Sequence, residues 1–363
     1  SIFAWDPEGK RVPPNTTYHS PDTSYLDVVT ANPFEALETY GLALRAANHA
    51  NPHAYDFPTL CGWLISTKSL GEGRPINHST GLVDQMKRAG EMGLLNYTPL
   101  AVRLEPDYYC QRDHGNTQQG WWDDEHFAKY GSLTKPYETF AAWCGKITEL
   151  GGIPFTYFQV SLPSNDFALA HPDWMLHKDI SDLHRTHAHH RPWIRYDYSS
   201  RGFQEHMRGV WKRMRNAGLK GVKFDYPETG WNTKGGFEDP ETTTIRAYTR
   251  IFELCKEGLG EDSYVHERNL GGQVHETAPR LDVTAGTVDL QRIWNDSNHF
   301  EPEMASRMGL RWYKSRSVFH YYPDGKSFVQ NGKPLPAYQR RAFLTLIAFL
   351  GGRLELGCSF NLM

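Results

Sequence analysis

Several signatures are missing from this 363-residue chain, and each absence removes a class of function. No Gly-x-Gly-x-x-Gly and no Gly-x-x-x-x-Gly-Lys-Ser/Thr run follows a strand-like segment, so the phosphate-cradling loops of dinucleotide-binding and P-loop folds are absent. Without a Gly-x-Ser-x-Gly elbow, Ser/His/Asp hydrolase chemistry is set aside as well. The five cysteines (Cys61, Cys110, Cys144, Cys255, Cys358) are odd in number and show no Cys-x-x-Cys spacing. That argues against a disulfide framework or a zinc ribbon and for reduced thiols. The cytoplasm follows as the expected compartment, with secretion or the periplasm left open. No signal peptide is visible at the start, although Ser1 is not an initiator methionine. No apolar run approaches the roughly 20 residues of a membrane helix. A net charge of −3 gives no reason to expect nucleic acid or a membrane surface as partner.

What the chain does have is size, apolar content and rings. Hydrophobic residues make up 39%, enough for a large core, and aromatics 13%, with 11 Trp and 19 Tyr. Sugar sites use such rings as platforms for C–H faces, and large cores use them too. Residues 1–55 read as an irregular lead-in followed by a linker helix that starts at Asn32-Pro33, with Asn32 as N-cap and Pro33 at the first helical position. From residue 56 to 363, strand-like and helix-like stretches alternate. The expected strands are Thr59–Ser66, Leu95–Leu104, Ile153–Val160, Gly221–Tyr226, Ser263–Glu267, Val288–Trp294, Ser317–Tyr321 and Arg353–Leu356. Eight such units predict an α/β chain folded as a (β/α)8 TIM barrel, with the chemistry at the carboxyl ends of the strands.

Two strand ends carry the strongest chemical signal. Gly221–Glu228 reads GVKFDYPE, an apolar run that stops at Asp225 and a proline. Lys223 lies two residues back on the same strand face. A cation beside a carboxylate favours its ionised form, which a nucleophile or general base needs. The octapeptide fits a purely structural Asp–Lys pair equally well. Downstream, TVDLQRIWNDSNHF (Thr287–Phe300) ends a second apolar run at Asp296. Two carboxylates on separate strand ends are what glycoside hydrolysis requires, one to attack and one to protonate the leaving oxygen.

In order along the chain, Cys61-Gly62-Trp63, His171-Pro172-Asp173-Trp174, Tyr196-Asp197-Tyr198-Ser199, Lys223-Phe224-Asp225 and Trp294-Asn295-Asp296-Ser297-Asn298 resemble motifs of clan D glycoside hydrolases. The resemblance is to family 36 α-galactosidases and their raffinose-synthase and α-N-acetylgalactosaminidase relatives. It runs from about Ala31 to the last residue. It implies a retaining, exo-acting α-glycoside hydrolase working through a covalent glycosyl-enzyme, with Asp225 as nucleophile and Asp296 as general acid/base. The alternatives are transglycosylation of the raffinose-synthase type and a non-catalytic carbohydrate-binding barrel. No metal and no organic cofactor is implied. The partner is an α-linked carbohydrate, and a homo-oligomer stays open. The flanking β-domains of the family have no counterpart in this chain.

Departures from the family concern sugar reading. Where the family ends strand two in Asp-Asp-Gly-Trp, this chain reads Arg103-Leu104-Glu105-Pro106-Asp107, and its Asp123-Asp124 pair lies later, behind Trp121-Trp122. Arg280 matches the family's R-x-D arginine. Candidate substrate-binding residues are therefore Lys223, Trp63, Glu267, Arg280, Glu105, Asp107, Asp123 and Trp121. Glu267, in YVHERN, fits a salt bridge with Arg268 as well as it fits substrate binding. The histidine-rich stretch His184–His190 raises the question of a metal, but its polar setting favours a solvated loop.

Overall fold

The computed structural model describes residues 13–19, 23–53, 55–65, 76–105, 123–129, 131–160, 165–176, 195–225, 227–231, 236–268, 282–293, 303–330 and 333–362. The linker helix spans Pro33–Ala47. Its first turn is stabilised as expected, because the Asn32 side chain accepts from the Phe34 N–H and Pro33 needs no donor partner.

The barrel strands are β1 (Thr59–Cys61), β2 (Leu100–Leu104), β3 (Gly152–Gln159), β4 (Gly221–Asp225), β5 (Tyr264–Glu267), β6 (Leu290–Arg292) and β7 (His320–Tyr322). A small antiparallel hairpin, β8 (Val329–Gln330) and β9 (Lys333–Pro334), intervenes before the last barrel strand, β10 (Glu355–Leu356). All eight barrel strands pair in parallel, in the order β10-β1-β2-β3-β4-β5-β6-β7. The Arg353 N–H donates to the Tyr321 carbonyl at 2.9 Å and draws the two ends together. Helices Ser79–Glu91, Phe140–Glu149, Arg201–Asn216, Thr244–Leu259 and Ala337–Phe349 lie between consecutive strands. The fold is a (β/α)8 barrel.

Several strands are shorter than the sequence suggests. β1 stops at Cys61 and the chain turns into a short helix, Gly62–Ile65. A Cβ on Gly62 would lie 2.5 Å from the Arg103 carbonyl and 2.3 Å from Asn77 Oδ1, so only glycine allows β1 to end this close to β2. Before β2, Gly93 takes a positive φ of 78° and Leu94–Asn96 forms a 3-10 turn, which delays the strand to Leu100. β7 begins three residues later than Ser317, after a turn in which Arg316 has φ 63°.

Alternation along the strands sorts their side chains into two cores. Val222, Phe224, Val265, Val102 and Leu104 join the large cluster between barrel and helices, where Phe224 meets Trp211 and Phe252. Ala101, Phe155, Leu290 and Tyr322 join Tyr55 and Phe57 in a second, inner cluster. Gly221 sits beside that inner cluster, where a Cβ would fall 2.4 Å from the Phe155 ring. The inner cluster plugs the lumen. Residues two and four further along the same strands line the lumen above it, and their chemistry is quite different.

Candidate active site

Above the aromatic plug the lumen is lined by charges. Arg103 on β2 is fully buried and reaches across to Glu355 on β10 through two bonds, Nη1 to Oε2 at 2.9 Å and Nη2 to Oε1 at 2.7 Å. Its Nε donates to Glu105 on the same strand, and Nη2 also lies 2.9 Å from Cys61 Sγ. Burial alone would raise the Glu355 carboxyl, but Arg103 and Lys223 outweigh it and hold the group below its ordinary range. Lys223 on β4 is 6% exposed. Burial and Arg103 act against its charge, yet Glu105, Asp225 and Glu355 together raise its pKa. The ammonium is therefore firmly charged, which favours an ionised Asp225 two residues on.

Asp225 ends β4, and its carboxylate is partly open. On one side the Val160 N–H donates to its carbonyl at 3.2 Å. On the other, the Arg268 N–H donates to the Phe224 carbonyl at 2.9 Å, carrying the β4–β5 ladder one step past β5. That step places the Arg268 Nε 3.0 Å from Asp225 Oδ1. Farther round the ring, Arg292 on β6 meets Asp324 just past β7 at 3.2 Å. His266, below Arg268, is packed edge-on against Tyr322 at 4.6 Å. Burial and the surrounding cations push its pKa well below the ordinary value, so it is neutral.

The structure brings Lys223, Asp225 and Glu105 together in this ring. Glu267 goes elsewhere. It pairs in register with Phe224, which faces the helices, and its carboxylate accepts from the Tyr248 hydroxyl, from Thr284 Oγ1 at 2.8 Å and from Gln291 Nε2 at 3.0 Å. Glu267 thus lies on the outer face of β5, away from the lumen, and does not pair with Arg268. Burial lifts its pKa to about 7, against the lowering effect of those three donors. Asp123 caps the helix Asp124–Lys129 by accepting from the His126 N–H at 2.9 Å. Its charge acts on Arg213, in the last turn of the helix that leads down into the start of β4. Trp63 lies two residues past the end of β1, in the short helix, and is 45% exposed, a ring near the strand's carboxyl end. Asp107, Trp121, Arg280, Asp296 and the His184–His190 stretch lie outside the described residues. Among the described residues no group of three His, Cys, Asp or Glu side chains is placed to hold a metal ion. No described helix is long and apolar enough to cross a membrane. Cys61, Cys144, Cys255 and Cys358 are buried free thiols.

Sequence reasoning read Arg268 only as a salt-bridge partner for Glu267 and did not take Arg103 or Glu355 as site residues. Arg268 shares strand parity with His266 and not with Glu267, which was a readable signal once β4 and β5 are paired. The Arg103–Glu355 contact joins residues 252 positions apart and has no local signature.

No protein-family model matches the chain, and no curated protein matches it. Solved structures do. The α-galactosidase of Thermus thermophilus, in complex with p-nitrophenyl α-D-galactopyranoside, superposes with a TM-score of 0.60 at 15% identity, over 91% of this chain and 62% of that one. The likeness is one of fold. The isomalto-dextranase of Arthrobacter globiformis T6, complexed with panose, follows at TM-score 0.54 and 14% identity, over 87% of this chain and 54% of that one. A family 27 β-L-arabinopyranosidase from Geobacillus stearothermophilus, in complex with arabinose, gives TM-score 0.53 and 12% identity, over 88% and 74% of the two chains. This chain spans less than two thirds of the first two of these structures. What these likenesses show is the (β/α)8 fold.

Proposed function

We propose that the chain is the catalytic barrel of a retaining, exo-acting α-glycoside hydrolase of clan D, with Asp225 as nucleophile and Asp296 as general acid/base. The observation that carries the reading is the Asp225 carboxylate, partly open at the end of β4 and flanked by Lys223 and Arg268. Such a group is ionised and fixed, as attack on an anomeric carbon demands. In the proposed cycle Asp225 bonds to the anomeric carbon while Asp296 gives a proton to the departing oxygen. Water then releases the sugar, with Asp296 taking back the proton. Lys223 keeps Asp225 ionised, and Trp63 offers an apolar face to the sugar ring. Arg280, Asp107 and Trp121 belong to the same reading as substrate contacts.

Specificity differs from that of a plain α-galactosidase. Glu105, at the strand end where family relatives place paired aspartates, is tied to Arg103 and Cys61. A site built around particular hydroxyls discriminates strongly, because its buried polar groups lose partners when a hydroxyl is missing. The expected substrate is a substituted galactose or a sugar with another axial pattern. A panel of aryl α-glycosides tests this, and a kcat/KM of about 10⁴ M⁻¹s⁻¹ or more on simple α-galactosides would refute the specificity. The mechanism is tested by a mechanism-based glycosyl fluoride followed by peptide mapping. Label on Asp225 supports the reading, and turnover without any label there overturns it.

A further inference from the structure

The ion pair between Arg268 and Asp225 does more than hold a carboxylate still. Resting on the proposed retaining mechanism, we infer that Arg268 is a positioning residue that makes Asp225 a good leaving group, so that the glycosyl-enzyme breaks down quickly. Three features of the geometry support this.

First, Arg268 is anchored at its backbone. The hydrogen bond from its N–H to the Phe224 carbonyl fixes its Cα beside Asp225. Parity with Tyr264 and His266 then turns its side chain into the lumen. Second, the contact is directional, with Nε donating to one named oxygen, Oδ1, at 3.0 Å. Third, the guanidinium is nearly buried while the carboxylate retains an open edge, with side-chain exposures of 6% and 13%. Solvent therefore screens the pair poorly, and a charge-assisted bond in such surroundings is stronger than a neutral one.

The consequence follows from charge. When a bond forms between Asp225 and the anomeric carbon, the carboxylate becomes a neutral ester and Arg268 loses most of its ionic partner. When water attacks, the carbon–oxygen bond to Asp225 breaks and its electron pair returns to the carboxylate. The water's proton passes to Asp296, which had given one to the first leaving group. Arg268 thus stabilises the carboxylate before the first step and after the second, but not the ester between them. It slows glycosylation, speeds deglycosylation and keeps the intermediate from accumulating. Lys223 cannot substitute, because it is shared among Glu105, Asp225 and Glu355.

The test compares the full-length wild type with Arg268→Gln and Arg268→Lys on an activated aryl glycoside, following both the pre-steady-state burst and the steady state. For Arg268→Gln, a burst of aryl product should appear or grow, and kcat and KM should fall together by about ten- to hundredfold. Intact-mass analysis should show the glycosyl-enzyme during turnover. Arg268→Lys should restore kcat in large part. A fall in kcat/KM with unchanged KM and no burst would overturn the inference and make Arg268 structural. Far-UV circular dichroism and a melting curve separate misfolding from a kinetic effect. If Arg268→Gln is unfolded, the same comparison on Arg268→Lys decides, with a smaller shift in the same direction expected. Wild type that turns over without labelling Asp225 would refute the mechanism itself, a result distinct from a labelled wild type whose variants show no shift in partition.

Discussion

Removing Glu355 while leaving Arg103 in place tests the charged ring directly. Arg103 and Glu355 each have side chains 1% exposed, and their two bonds of 2.9 and 2.7 Å are the fork-to-fork geometry of a strong pair. Glu355→Leu leaves a buried guanidinium with Glu105 as its remaining acid. Breaking one side of a buried pair costs about 3–5 kcal/mol, and the surviving contact places this case near the lower value. With an unfolding entropy of about 2.1 cal/mol/K per residue, a chain of this length loses about 1.3 °C of melting temperature per kcal/mol. The expected fall is therefore about 4 °C, read by scanning calorimetry at pH 7. It should persist in high salt, since buried charges are screened little. The double variant Arg103→Leu/Glu355→Leu removes both charges of the pair but leaves Glu105 without Arg103, and its loss should fall short of the sum of the two single variants. A shift below about 1 °C for the single variant, or simple additivity in the double, would show that the pair is not the buried unit described.

Other expectations follow from neighbouring features. Glu267 has a folded-state pKa raised to about 7 from an ordinary value near 4.5, so the folded state binds its proton more tightly than the unfolded chain does. Its stabilising contribution is full below about pH 4.5 and is lost as pH rises through 7, a change of about 3 kcal/mol at most. Glu267→Gln should flatten that part of the pH–stability curve, and an unchanged curve would refute the assignment. Gly221→Ala presses a methyl onto the Phe155 ring, whose atoms lie 2.4 to 2.6 Å from the new Cβ. It should cost about 1–3 kcal/mol, measurable by urea unfolding, and a neutral result would mean that the plug yields easily. Asp225→Asn should abolish turnover on every substrate. Asp296→Asn should spare glycosyl fluorides, whose leaving group needs no proton, with azide restoring release of the sugar. Equal loss on fluorides and aryl glycosides without azide rescue would remove Asp296 from its role.

Barrel topology was legible in the sequence because alternation of strand and helix is a local pattern, and Lys223 and Asp225 were legible because a period of two is local as well. Strand ends were not. β1 gives way to a helical turn at Gly62 because of how closely Arg103 and Asn77 approach, which is a property of neighbours far along the chain. Glu267 looked like a candidate because a carboxylate at a strand end invites that reading. Its face was decided by pairing with Phe224, and one residue of register separates lumen from helix layer. Arg268, the adjacent residue, takes the lumen position for the same reason. Glu105 was legible at the end of its strand, but its meeting with Glu355 through Arg103 is made only by closure of the barrel, so no one segment announces the cluster.

That closure has a consequence for how the protein is made. β1 pairs with β10, Thr59 lying opposite Glu355, and the seam to β7 is joined through the Arg353 N–H and the Tyr321 carbonyl. A ribosome must therefore release nearly the whole described chain before Arg103 can meet Glu355. Until then the nascent barrel is an open sheet with a bare edge, and Arg103 has Glu105 but not Glu355 beside it. Chaperone dependence should concentrate in that late interval, and synthesis slowed near the last strand should prolong exposure of the β1 and β7 edges.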